Sequence, residues 1–90
     1  MRYVWDEQKN LLLKQTRSIS FAEVVLAIEN QKVIAVFDHP NQAKYKGQIF
    51  ILVEVANYVY VVPAEIRADK CLLKTIYPSR KYTKQYLRKE

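Results

Sequence analysis

The chain has 90 residues, with 15 Lys and Arg against 9 Asp and Glu and a formal net charge of +6. That length fits one domain and leaves no room for a separate cofactor lobe. Half of the residues are hydrophobic, which supports a packed core over wholesale disorder, and the single cysteine, Cys71, excludes an intrachain disulfide and a multi-cysteine zinc site.

Arg2 to Trp5 is aromatic and β-branched and reads as a short strand. Asp6 follows at a helix N-cap position, with Glu7 in the first turn facing the positive end of the helix dipole. Leu11, Leu12 and Leu13 give this first helix a broad apolar face that fades near Gln15 or Thr16. The second helix has the clearest start. Ser20 and Glu23 are spaced as a capping box, and Ile19 and Val24 stand at the staple positions around it. Phe21, Val24, Val25 and Ile28 keep to one helical face, and Asn30 is the expected stop.

The period then changes. Val33 to Asp38 reads as a strand that His39-Pro40-Asn41 breaks. Residues 41–47 form a polar loop holding the only glycine, Gly47. Gln48 to Val55 alternates, with Ile49, Ile51, Val53 and Val55 on one face. Ala56-Asn57 is a short hairpin turn, Tyr58 to Ala64 the return strand, and Glu65 to Asp69 a second polar connection. Lys70 to Tyr77 is the last strand, with Cys71, Leu73, Thr75 and Tyr77 on one side and Leu72, Lys74 and Ile76 on the other. Pro78 ends it. Ser79 caps a final helix to about Arg88, with Tyr82, Tyr86 and Leu87 on one face and Arg80, Lys84 and Arg88 at i, i+4 and i+8 on another. The order β-α-α-β-β-β-β-α, ending in an antiparallel meander, gives a single α+β domain.

Residues 1–66 hold seven bases and seven acids, so the whole net charge falls in residues 67–90, where eight bases face Asp69 and Glu90. No segment approaches the roughly 20 apolar residues of a membrane helix, and the N-terminus lacks the apolar stretch of a signal peptide. With one free cysteine, the chain reads as a small soluble cytoplasmic protein with no membrane partner.

One His and one Cys with scattered acids give no metal-ligand cluster. A single glycine cannot build a phosphate loop, so neither a metal nor a nucleotide cofactor is expected. Cys71 sits mid-strand among apolar neighbours and reads as core. Trp5 reads as core filling. The C-terminal block is the informative part: Lys74, Arg80, Lys81, Lys84 and Arg88 surround Tyr77, Tyr82 and Tyr86. Cations neutralise phosphates and tyrosines stack on unpaired bases, so the block is either a surface for a polyanion or acidic partner, or a solvated helix whose tyrosines pack on the sheet. His39 is either an acid–base group or an exposed turn residue. Tyr45 is either a stacking residue or a loop anchor.

Trp5-Asp6-x-x-Lys9, Ile19-Ser20-Phe21-x-Glu23 and Arg80-Lys81-x-Thr83, in this order and at this spacing, resemble the BrnT family across nearly the whole chain. BrnT proteins are toxins of bacterial type II toxin–antitoxin pairs and look like compact relatives of the RelE ribonucleases. The resemblance implies a RelE-like fold and a metal-independent endoribonuclease that cleaves RNA and inhibits translation. It also implies a cognate antitoxin as partner, in a heterotetramer with a dimeric antitoxin. Arg80 matches the arginine of the family motif and would stabilise phosphorane charge, since a guanidinium grips a phosphate through two bonds. Lys81, Lys84 and Arg88 would hold the RNA backbone, with Tyr77 beside them. Thr16, Arg17 and Ser18 stand where many relatives have Lys-His-Gly, and Tyr86 replaces a common Glu. Arg17 is then an RNA contact, and His39, Tyr45 and Lys74 are the remaining candidates for proton transfer and charge at the reacting group. The alternative is a non-catalytic module of the same fold that binds RNA or an acidic protein.

Overall fold

A computed structural model describes residues 1–88, so Lys89 and Glu90 of the basic terminus lie outside the described residues. Strand β1 (Arg2–Val4) leads into helices α1 (Glu7–Arg17) and α2 (Phe21–Glu29). Strands β2 (Val33–Asp38), β3 (Gln48–Val55), β4 (Tyr58–Arg67), β5 (Lys70–Leu73) and β6 (Tyr77–Pro78) follow, and helix α3 (Arg80–Tyr86) comes last. The α+β class and the order of elements agree with the sequence reading, with its last strand divided into β5 and β6.

The strands lie in the order β1-β5-β4-β3-β2, and β6 pairs with β4. β1 runs parallel to β5, and every other pair is antiparallel. One face of the sheet packs against α1 and α2, joining Leu13, Phe21 and Val24 to Ile51, Val53, Val62, Cys71, Leu73 and Ile76. The other face carries Phe50, Leu52, Val59 and Val61 and is covered by Tyr82 and Tyr86 of α3 and by its C-cap Leu87. The strict alternation of β3 serves both faces, as period 2 requires.

Local chemistry accounts for the helix ends. The Asp6 carboxylate accepts the N–H groups of Gln8 and Lys9. Ser20 and Glu23 form the complete capping box. Asn30 is the C-cap of α2, but the left-handed residue is the next one, Gln31, at φ 61°. Gln31 N–H bonds Ile28 C=O and Lys32 N–H bonds Ala27 C=O, the two bonds of a Schellman motif in which glycine is the usual left-handed residue. The leucine run of α1 buries less than its composition suggests. Leu13 is buried, whereas Leu11 and Leu12 are about half exposed, at 51% and 49%. Asn10 takes the inner position instead, accepting Phe21 N–H and donating to Glu7, and so ties α1 to the start of α2. Trp5 stacks on Phe21 with centroids 5.7 Å apart and donates to the Glu7 carboxylate. These two donors hold the Glu7 carboxyl below its ordinary range, the Asn10 bond contributing most.

The largest departures from the sequence reading lie in β4 and after β5. β4 continues through Glu65 to Arg67, and only Ala68 and Asp69 turn the chain. Pro63 then sets a break. Its carbonyl accepts Lys74 N–H at 2.8 Å, so its ring nitrogen faces the same neighbour and has no hydrogen to return. Beyond this point three residues, Lys74 to Ile76, oppose two, Val62 and Pro63. That is a β-bulge, and it reverses which face each later side chain meets. Ile76 enters the core beside Leu73, and Tyr77 turns to the α3 side, the reverse of simple alternation. Arg17 donates its guanidinium to the Ile76 carbonyl inside the bulge.

Burial pushes the Cys71 thiol up from its ordinary range. A thiol raised in the folded state contributes stability that is present below the unfolded thiol's pKa and lost as pH rises through the folded value. Native protein should therefore react with a thiol reagent at neutral pH only as fast as it opens, and urea should release full reactivity. Gln31→Gly should stabilise the fold by about 1 kcal/mol through relief of left-handed strain, read as a rise of roughly 4–8 °C in the thermal midpoint.

Candidate functional site

Helix α3 begins where β6 ends. Ser79 N–H bonds Val59 C=O, and the Ser79 hydroxyl accepts Tyr82 N–H as the N-cap. Thr83 then makes the central attachment. Its Oγ1 accepts Val59 N–H at 2.9 Å and donates to Ser79 C=O at 2.7 Å. The side chain is only 1% exposed. β6 ends opposite Tyr60, so Thr83 satisfies the next backbone donor of β4, which has no strand beside it. The helix is thereby fixed against the strand edge through one hydroxyl, while Tyr82 and Tyr86 bury their rings on the sheet.

With those positions turned inward, the cations turn outward. Arg80, Lys81, Lys84 and Arg88 line one open groove of about 880 Å³, with Tyr58, Thr83 and Gln85 completing its walls. Among the described residues no acid lines it, and the only ion pair joins Arg67 to Glu65 on β4. The arrangement works against the helix itself. Arg80 and Lys81 stand at the positive end of the dipole with no acid in the first turn, and Arg80 and Lys84 repeat like charge at i, i+4 spacing, although Lys84 in the last turn is favoured by the dipole. Each unfavourable placement costs a few tenths of a kcal/mol or more.

Other sequence candidates fall elsewhere. His39 packs between Tyr45, stacked with centroids 4.3 Å apart, and Phe50, met edge-on at 4.5 Å. Its Nδ1 accepts Asn41 N–H. Around it the Gln42 amide donates to His39 and Gln48 carbonyls and accepts Gly47 N–H. His39 and Tyr45 thus form the folded core of the β2–β3 loop. Tyr77 lies half-buried, edge-on to Phe50 at 6.4 Å, and burial, with a smaller effect of nearby Tyr82, raises its hydroxyl's pKa. Lys74 is exposed at the bulge, and Arg17 serves the Ile76 carbonyl. None of these five residues lines the groove. The structure brings together Arg80, Lys81, Lys84 and Arg88 and adds Tyr58, which the sequence reading placed only within a strand. No local signal marks Tyr58, because it reaches the groove through the pairing of β4 with β3 and the return of α3.

Among the described residues no three His, Cys, Asp or Glu side chains converge as metal ligands, and no helix is long and apolar enough to cross a membrane. No protein-family model and no curated protein matches the chain.

Thr83→Val keeps the side-chain volume but leaves Val59 N–H unpaired at a buried edge. It should destabilise the fold by about 1–3 kcal/mol in urea titration, with Thr83→Ser staying within about 1 kcal/mol of the parent.

Proposed function

We propose that the α3 groove binds RNA along its phosphate backbone. One observation carries this reading: three cations of a short helix, with Arg88 just past its C-cap, line a single groove with no acid among its described walls. Such a surface gains affinity by releasing counterions from a polyanion. Arg80 offers paired donors for one phosphate, and Lys81 and Lys84 act as mobile point charges beside it.

Cleavage is a second reading, and Arg80 favours it. Arg80 stands at the motif position that resembles BrnT toxins, within the groove. In a metal-free transesterification the RNA's 2′-hydroxyl attacks the adjacent phosphate, and a guanidinium stabilises the charge that develops. The reaction also needs a proton acceptor at the attacking oxygen and a donor at the leaving oxygen. The groove walls offer lysines and the Tyr58 phenol for these roles, since His39 and Tyr45 are engaged in their own loop. On this reading the chain is the toxin of a toxin–antitoxin pair of the BrnT/RelE kind, and an acidic segment of its antitoxin silences it by covering the same cations.

Binding and cleavage separate in the measurements. The logarithm of affinity for an RNA oligonucleotide should fall linearly with the logarithm of salt, and Arg80→Ala should reduce the slope by about 0.7. A slope indistinguishable from zero in the parent refutes the RNA reading. Induced expression in bacteria should arrest growth if the protein cleaves RNA, and Arg80→Ala should relieve the arrest. Full arrest by that variant removes Arg80 from the chemistry.

A further inference from the structure

The groove offers a flat ring as well as charge. Tyr58 is the first residue of β4, directly after a hairpin turn in which Ala56 and Asn57 both take positive φ. Its ring is half-buried, and its plane is set from the side by Tyr60, whose ring meets it at 66° with centroids 6.1 Å apart. The next residue, Val59, is the one that Thr83 binds. The ring and the cation helix are therefore fixed to one piece of backbone.

Arg88 closes the opposite side. Its guanidinium carbon lies 6.0 Å from the centre of the Tyr58 ring. That distance lies at the outer reach of a cation–π contact, so the guanidinium already stands over the ring face. Arg88 ends the row Arg80, Lys84, Arg88, so a phosphate chain lying on that row brings its bases to the Tyr58 side.

We propose that Tyr58 and Arg88 form a clamp for one unpaired nucleic-acid base, with the adjoining phosphates on Lys84 and Arg80. This rests on the reading that the groove binds RNA, and it adds what that reading leaves open, a preference for strands whose bases are free. A base in a duplex is covered by its neighbours on both faces and cannot enter. The tyrosine face and the guanidinium plane accept any base, so the clamp selects for unpaired bases and is tolerant of sequence.

The test compares two labelled RNA strands of equal length and equal phosphate number, one of uridines and one abasic throughout, by fluorescence anisotropy on the full chain. The uridine strand should bind about tenfold more tightly, as base–aromatic stacking predicts. Tyr58→Leu should abolish that preference while leaving the salt slope of the abasic strand unchanged, and Tyr58→Trp should retain it. Arg88→Lys keeps the charge and removes the plane, so it should lower the preference even if Tyr58→Leu folds poorly. Equal affinity of the two strands in the parent overturns the clamp while leaving phosphate binding intact. A preference that survives both Tyr58→Leu and Arg88→Lys overturns it as well. Failure of the underlying reading is distinct, since neither strand would then show salt-dependent binding.

Discussion

Pro63 has no N–H to return to the strand beside it, and the second half of the molecule is arranged around that missing donor. A proline in a central strand is ordinarily excluded because it breaks the ladder. Here it breaks only one side. The β3 side continues without interruption through Pro63 paired with Phe50. On the other side Lys74 donates to the Pro63 carbonyl and receives nothing back. One extra residue enters, β5 gives way to β6, and the parity of the chain reverses. Ile76 fills the core under the N-terminal helices, Tyr77 faces the other way, and Arg17 supplies a donor to the bulge. Without that reversal the chain would reach Ser79 with its tyrosine on the wrong face for α3 to follow.

The reversal places α3 over a face that would otherwise be bare. α1 and α2 cover one side of the sheet, and among the described residues α3 is the only helix on the other. A seven-residue helix has little stability of its own. It is held by half-buried tyrosines and by Thr83, whose hydroxyl replaces the missing strand at Val59. Because attachment comes from one side of the helix, the opposite side carries cations that pair with no acid among the described residues. Their mutual repulsion is tolerated because packing and the Thr83 bonds, rather than helix propensity, hold the element in place.

The same division keeps the cation groove apart from the histidine loop. His39, Tyr45, Phe50 and Tyr77 continue the aromatic packing of the α3 face into the β2–β3 loop, with Phe37 joining Phe50 to Tyr82. A histidine stacked on one ring, met by the edge of another and bonded through Nδ1 is a loop anchor. The groove beyond α3 has charge and one flat ring, the combination on which the proposal of RNA binding rests. The remaining bases of the C-terminal third separate. Arg67 and Lys70 flank the turn at the far end of β4, about 30 Å of strand from Tyr58, so the basic block of the sequence becomes more than one surface.

The sequence by itself determined the elements whose signals are local. The Asp6 and Ser79 caps, the Ser20–Glu23 capping box and the alternation of β3 depend on neighbours within a few residues, and all stand where the sequence places them, whereas α3 ends at Tyr86, short of the expected Arg88. The sequence also placed Arg80, Lys81 and Lys84 on one short helix, and Arg88 stands just past its C-cap. Only the tertiary structure decided what depends on pairing between distant segments. The bulge at Lys74 follows from a proline eleven residues earlier on another strand, and the sequence shows that proline without showing which neighbour it fails. Asn10 became a buried link because α2 presented an N–H to it, and Leu11 and Leu12 stayed exposed because that link took the inner position. Tyr58 joined the cations because hydrogen bonds from α3 to the β4 edge brought them together, and no periodicity within either segment encodes that contact.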